Sequence, residues 1–138
     1  MNAPTYELRA GDLMTLEPVV VAVDAPIEEA KRLILDCEVS GLPVVDEHGA
    51  LVGVVSQTDF MHLGDPDLRS VIHHKPSGIK VGEVMSRPPV TVLLSTTLGE
   101  TARTMTEERV HRVVVVNENQ HPIGVLAAMD FVKLYAED

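Results

Sequence analysis

Two stretches of the chain place an Asp three residues after the close of an apolar run: Ser56-Gln57-Thr58-Asp59 and Ala127-Ala128-Met129-Asp130. A strand that ends where a helix begins leaves backbone N–H groups unpartnered beside the positive end of the helix dipole, which attracts anions. Ser56 adds a hydroxyl donor for such an anion. Asp59 offers two carboxylate oxygens, matched to two adjacent hydroxyls of a sugar such as ribose. The same residues also spell a capping box, with Ser56 as helix cap and Asp59 reaching back to it. The local sequence leaves both roles open. The second stretch keeps Asp130 and replaces the hydroxyl with Ala127. There the Asp either complements the helix dipole, worth roughly 0.3–1 kcal/mol, or serves a site that has lost one contact.

His111-Arg112 stands just ahead of the run Val113 to Val116. A guanidinium gives bidentate donors to phosphate, and the pair could equally meet Glu107 or Glu108 at the surface. Other chemistry is not expected. His73 and His74 point apart as neighbours and have no Cys or acidic partner at ligand spacing, so no metal is required. Cys37 falls on an apolar helix face and is expected to be a small buried hydrophobe. Ser40, Ser56 and Asp59 have no predictable His partner for nucleophilic catalysis. The glycines form neither GxGxxG nor a Walker loop. The chain reads as non-enzymatic.

The elements that must position these residues come in two copies. An offset of 71 positions (82 minus 11) lays the sequence on itself without a gap. Gly11-Asp12-Leu13-Met14 meets Gly82-Glu83-Val84-Met85, and Gly53, Val54, Asp59 and Phe60 meet Gly124, Val125, Asp130 and Phe131. Such a repeat is the first feature to establish in any sequence. Each copy predicts a buried strand, Val19 to Val23 or Val90 to Leu94. A helix capped by Asp24 or Ser95 follows. Ile27, Ala30, Ile34 and Cys37 line one face of the first helix, and Leu98, Ala102 and Met105 that of the second. Gly41 is the expected helix stop in copy one. Two strands come next, Leu42 to Val45 and Leu51 to Ser56, or Val113 to Val116 and Ile123 to Ala127. Final helices begin near Gln57 and Ala128. The order is β-α-β-β-α twice, an α+β fold. Neither half covers its own three-stranded sheet well, so the halves are expected to pack sheet to sheet about a pseudo-twofold axis.

The whole chain of 138 residues is long enough to bury a core, and 45% of it is hydrophobic. One Cys excludes a disulfide framework and fits a reducing compartment. No run reaches membrane-spanning length, and the chain reads as soluble and cytoplasmic. Its formal net charge of −10 disfavours nucleic-acid binding. Aromatics are only 3%, so a planar ligand would lie between aliphatic side chains.

The tandem repeat, carrying Gly41-Leu42-Pro43-Val44-Val45-Asp46 and then Gly53-Val54-Val55-Ser56-Gln57-Thr58-Asp59, resembles a pair of CBS domains, the unit named after cystathionine β-synthase. The resemblance runs from Glu7 to Tyr135, with repeats at 7–63 and 81–135 and a linker at 64–80. Val110 to Val116 is also similar to the last repeat of the AMP-sensing kinase gamma subunit. Copy two departs from the motif at Arg112, Val114 and Ala127, where copy one has Gly41, Pro43 and Ser56. The resemblance implies a regulatory module that binds an adenosine-containing ligand (AMP, ADP, ATP or S-adenosylmethionine) in clefts between repeats. It gives Ser56 to the phosphate and Asp59 to the ribose, with Val20, Val21, Gly41, Leu42 and Pro43 about the adenine. In copy two the likeness to the kinase gamma subunit gives His111 and Arg112 to ligand phosphates, and Asp130 stands at the ribose position. It further implies a homodimer that regulates an unidentified protein. The alternative is a scaffold or dimerisation module with empty clefts.

Overall fold

The computed structural model describes residues 8–16, 18–63 and 78–136. Most of the expected linker, with His73 and His74, and also Glu7 lie outside the described residues. In chain order the elements are α1 (Ala10–Leu13), β1 (Thr15–Leu16), β2 (Val21–Ala22), α2 (Ile27–Cys37), β3 (Gly41–Val45), β4 (Leu51–Ser56) and α3 (Gln57–His62). They continue as α4 (Val81–Val84), β5 (Thr91–Leu93), α5 (Leu98–Glu108), β6 (Arg112–Val116), β7 (Pro122–Ala127) and α6 (Ala128–Ala136). The expected β-α-β-β-α order is present twice, each time preceded by a four-residue helix, α1 or α4, that hydrophobic spacing did not reveal.

The chain folds as two compact units, Val19–Pro89 and Met1–Pro18 with Val90–Asp138. In the first, β2 runs parallel to β3 with Val21 opposite Val44, and β3 runs antiparallel to β4 with Gly41 opposite Ser56. The second holds a four-stranded sheet, β1-β7-β6-β5. There β5 lies parallel to β6 with Thr91 opposite Val114, and Arg112 faces Ala127 across β6 and β7. Both hairpins carry a register shift at the same repeat position, Val44/Val45 and Val115/Val116.

Each unit takes its short leading helix from the stretch ahead of the other copy. Val81 and Gly82 donate to the carbonyls of Ala25 and Val23 at 2.9 and 2.8 Å, and Ala10 and Gly11 donate to Thr96 and Leu94 at 2.7 and 3.0 Å. Gly82 is needed for this approach, because a Cβ there would lie 2.8 Å from Val23 Cγ2. The first core gathers Val21, Ile27, Ala30, Ile34, Leu42, Val44, Val55, Val81 and Val84, so α4 contributes to it directly. The second gathers Ala10, Val92, Leu98, Met105, Val113, Val115 and Leu126.

Several expectations need correction. The helices do not begin after Asp24 and Ser95. Turns close first (Ala25 N–H to Ala22 O at 3.1 Å, Thr96 N–H to Leu93 O at 3.1 Å), which moves the caps to Pro26 and Thr97. The helix stop is not Gly41, which opens β3. Glu38 and Arg109 adopt the left-handed conformation instead, with φ of 54° and 56°. Cys37 is exposed rather than buried. It is the last helical residue before the chain turns away at Glu38, which leaves its side chain uncovered. The leading strands are also shorter than their apolar runs, with ladders that span Val21–Ala22 and Thr91–Leu93.

Candidate nucleoside site

The junction of β4 and α3 is where the chemistry gathers. The register that sets Gly41 against Ser56 brings the start of β3 to the end of β4, and Gln57 N–H donates to Ser40 O at 3.1 Å. Asp59, only 6% exposed, lies in the first turn of α3. Its Oδ2 accepts the Ser56 N–H at 2.8 Å and the Ser56 hydroxyl at 3.3 Å. Its Oδ1 accepts the Ser86 hydroxyl at 2.8 Å. The two sequence-predicted polar residues are thus in contact. Gly41 adjoins them through the strand pairing.

The apolar residues divide by strand alternation. Val21 and Leu42 enter the unit's core. Val20, 37% exposed, and the buried Pro43 alternate to the opposite sense.

The back-bond from Asp59 is one of a series. Asp12, Glu83, Glu100 and Asp130 accept the N–H of Arg9, Lys80, Thr97 and Ala127 at 2.8 to 3.0 Å. The capping role is therefore realised at both Asp59 and Asp130, and any ligand role is additional to it. Helix α2 is the exception with a plain cause: Pro26 has no N–H to give, and Glu29 stands 3.9 Å from Arg32 instead.

In the second unit Arg112 replaces Gly41 and faces Ala127. Its guanidinium is half-buried, and desolvation pushes its pKa below the usual value. The surface pairing with Glu107 or Glu108 is not formed: salt bridges found among the described residues join Arg32 to Glu29 and His48 to Glu47. His111 is exposed, its carbonyl accepting Ala128 N–H at 2.8 Å. It lines an open groove of about 530 Å³ with Met105, Arg109, Val110, Ala128 and Phe131, while Arg112 does not. The predicted basic pair is therefore split, as neighbours at a strand start must be. Among the described residues no group of three or more His, Cys, Asp or Glu is arranged to hold a metal.

Ser86, whose hydroxyl donates to Asp59 Oδ1, is not among the residues expected from the sequence. Its signal was nevertheless present, because the offset matches it to Thr15, a second hydroxyl directly after a Met in the same leading stretch.

A family model described as CBS domain matches residues 10–64 and 81–137. The chain is 37% identical over 120 residues to 5'-AMP-activated protein kinase subunit gamma-3 of Bos taurus, covering 83% of this chain and 23% of that one. It is 31% identical to the chloroplastic CBS domain-containing protein CBSX2 of Arabidopsis thaliana, covering 89% of this chain and 61% of the relative. The chain therefore spans about a quarter of the kinase subunit and under two thirds of the plant protein. A crystal structure of CBSX2 in complex with AMP superposes with a TM-score of 0.82 at 33% identity, covering 94% of this chain and 97% of that one.

Proposed function

The chain belongs to the CBS domain family, and on that premise we propose that it is a regulatory module binding an adenosine-containing ligand, with AMP the first to test, at the Ser56–Asp59 junction. The observation that carries this reading is the buried Asp59 carboxylate held in contact with Ser56. The AMP complex of a chain 33% identical supports it. The ribose 2′ and 3′ hydroxyls donate to Asp59. Ser56 hydroxyl, whose contact to Asp59 is long at 3.3 Å, turns to donate to the phosphate. Val20 and Pro43 flank the base, as a chain with few aromatics requires. Asp130 and Arg112 form the second, chemically different position, where a guanidinium stands in place of the hydroxyl. ADP, ATP and S-adenosylmethionine differ from AMP in the tail that these groups would meet.

The module performs no chemistry in this reading; it signals. Occupancy shifts the protein between arrangements only by the ligand's different affinity for each, and an unidentified regulated protein reads the result. A second copy is the other partner: Met129, Val132 and Tyr135 lie on one side of α6 at 59%, 56% and 63% exposure. The single Cys fits residence in the cytoplasm.

Calorimetry with AMP, ADP, ATP and S-adenosylmethionine tests the proposal. AMP is expected to bind, and Asp59→Ala to weaken it tenfold or more with the fold retained; unchanged affinity would remove the site. A second reading is an empty scaffold, favoured by one fact: each Asp59 carboxylate oxygen already accepts a short hydrogen bond from its own chain. The two part company in a thermal shift, where a hundredfold excess over Kd stabilises by about 2.7 kcal/mol and a scaffold shows no change.

A further inference from the structure

We infer that Ser86 is a positioning residue for Asp59, fixing the carboxylate in the orientation that a vicinal diol requires; this rests on the nucleoside reading of Asp59 above. Ser86 stands 27 residues along the chain from Asp59 and reaches it through a fixed backbone. Val54 N–H donates to Ser86 O at 3.0 Å and Ser86 N–H donates to Val54 O at 2.8 Å. Close packing of the same segment on Gly53 reinforces this, since a Cβ there would lie 2.6 Å from Met85 Sδ and 2.9 Å from Ser86 O. The hydroxyl is thus carried by a backbone that is set independently of Asp59.

The distances rank the donors. Hydrogen bonds from a hydroxyl to an oxygen run to about 3.0 Å and are shorter still to a carboxylate. At 2.8 Å the Ser86 bond qualifies, and at 3.3 Å the Ser56 hydroxyl contact does not. The Ser56 hydroxyl is the donor that leaves when a better acceptor arrives. What remains is one short bond on each oxygen, Ser56 N–H on Oδ2 and Ser86 hydroxyl on Oδ1. A carboxylate has about four lone-pair sites, so each oxygen keeps one, the pattern that two adjacent hydroxyls need. The terminal torsion of Asp is soft and roughly two-fold. Anchors on both oxygens fix its plane, whereas one anchor leaves it free to turn.

The second copy supplies the contrast. Thr15 pairs with Val125 as Ser86 bridges Val54, at the same offset. Asp130 is only half-buried, and the hydrogen bond found on its carboxylate comes from Ala127 N–H at 2.8 Å. That carboxylate has one anchor where Asp59 has two, so the first copy is the one prepared for a ribose.

The test is calorimetric titration of AMP and of 2′-deoxy-AMP into the full chain, its Ser86→Ala variant, and the shape-matched pair Ser86→Thr and Ser86→Val. Loss of one hydrogen-bond anchor is expected to weaken AMP about three- to tenfold in Ser86→Ala and Ser86→Val, and to shrink the preference for AMP over its deoxy form. Ser86→Thr restores both. In an Asp59→Ala background, Ser86→Ala then changes AMP affinity less than about twofold. If Ser86→Val keeps the AMP preference while Asp59→Ala destroys binding, the positioning role is wrong and the nucleoside site stands. If Asp59→Ala binds AMP as the parent does, or the parent binds none, both readings fall.

Discussion

Asp59 and Asp130 show how one residue type at one repeat position comes to do unequal work. Both bond back to the N–H three residues earlier, which satisfies an otherwise free donor of the helix start. Asp130→Ala should therefore lower stability by about 0.3–1 kcal/mol in urea titration without touching AMP affinity at the first copy. Another such carboxylate contributes to the acid side of the stability profile. Glu100 has its pKa lowered, first by the Thr97 N–H and then by the Thr97 hydroxyl. A depressed folded-state pKa contributes stability above the ordinary glutamate range and loses it as pH falls through the lowered value. Glu100→Gln should accordingly flatten the fall of Tm on acidification, measured by circular dichroism melts from neutral pH downward.

At the scale of elements, helix ends are where the structure departs most from sequence expectation. Helices α2 and α5 both close on a non-glycine residue at positive φ, Glu38 and Arg109. That conformation costs an L residue roughly 1–2 kcal/mol, partly offset by the freedom glycine adds to the unfolded chain. Glu38→Gly and Arg109→Gly should each raise the denaturation midpoint modestly, and no gain from either would mean the cap is unstrained. The hairpins were legible because paired apolar runs, Leu42 to Val45 and Leu51 to Ser56 in the first copy, flank a stretch of turn-forming residues, Asp46-Glu47-His48-Gly49. Helices α1 and α4 were not, because four residues give no countable periodicity. Ser40 to Asp59 could be placed from local spacing. Ser86 could not, because its bond spans 27 residues and depends on the pairing of Val54, which no local pattern announces. Cys37 failed for a simpler reason: periodicity tells which face a residue takes, not whether anything lies over it.

For the molecule as a whole, the leading helices matter most. Val81 and Val84 belong to the core of the unit 19–89, and Ala10 to the core of the other. Val81→Ala should destabilise by roughly 1–3 kcal/mol as a buried side chain is cut back. In hydrogen exchange the loss of protection should appear in β3 and β4 before β6 and β7. The exchange of leading segments also decides what happens if the polypeptide is severed within 64–77. The N-terminal piece then lacks the lid of its own hydrophobic interior, and the C-terminal piece lacks its own in return. Each fragment carries what the other is missing. Neither should be a self-sufficient building block, and co-expressed they should rescue one another in trans, so a single copy is no smaller version of this protein.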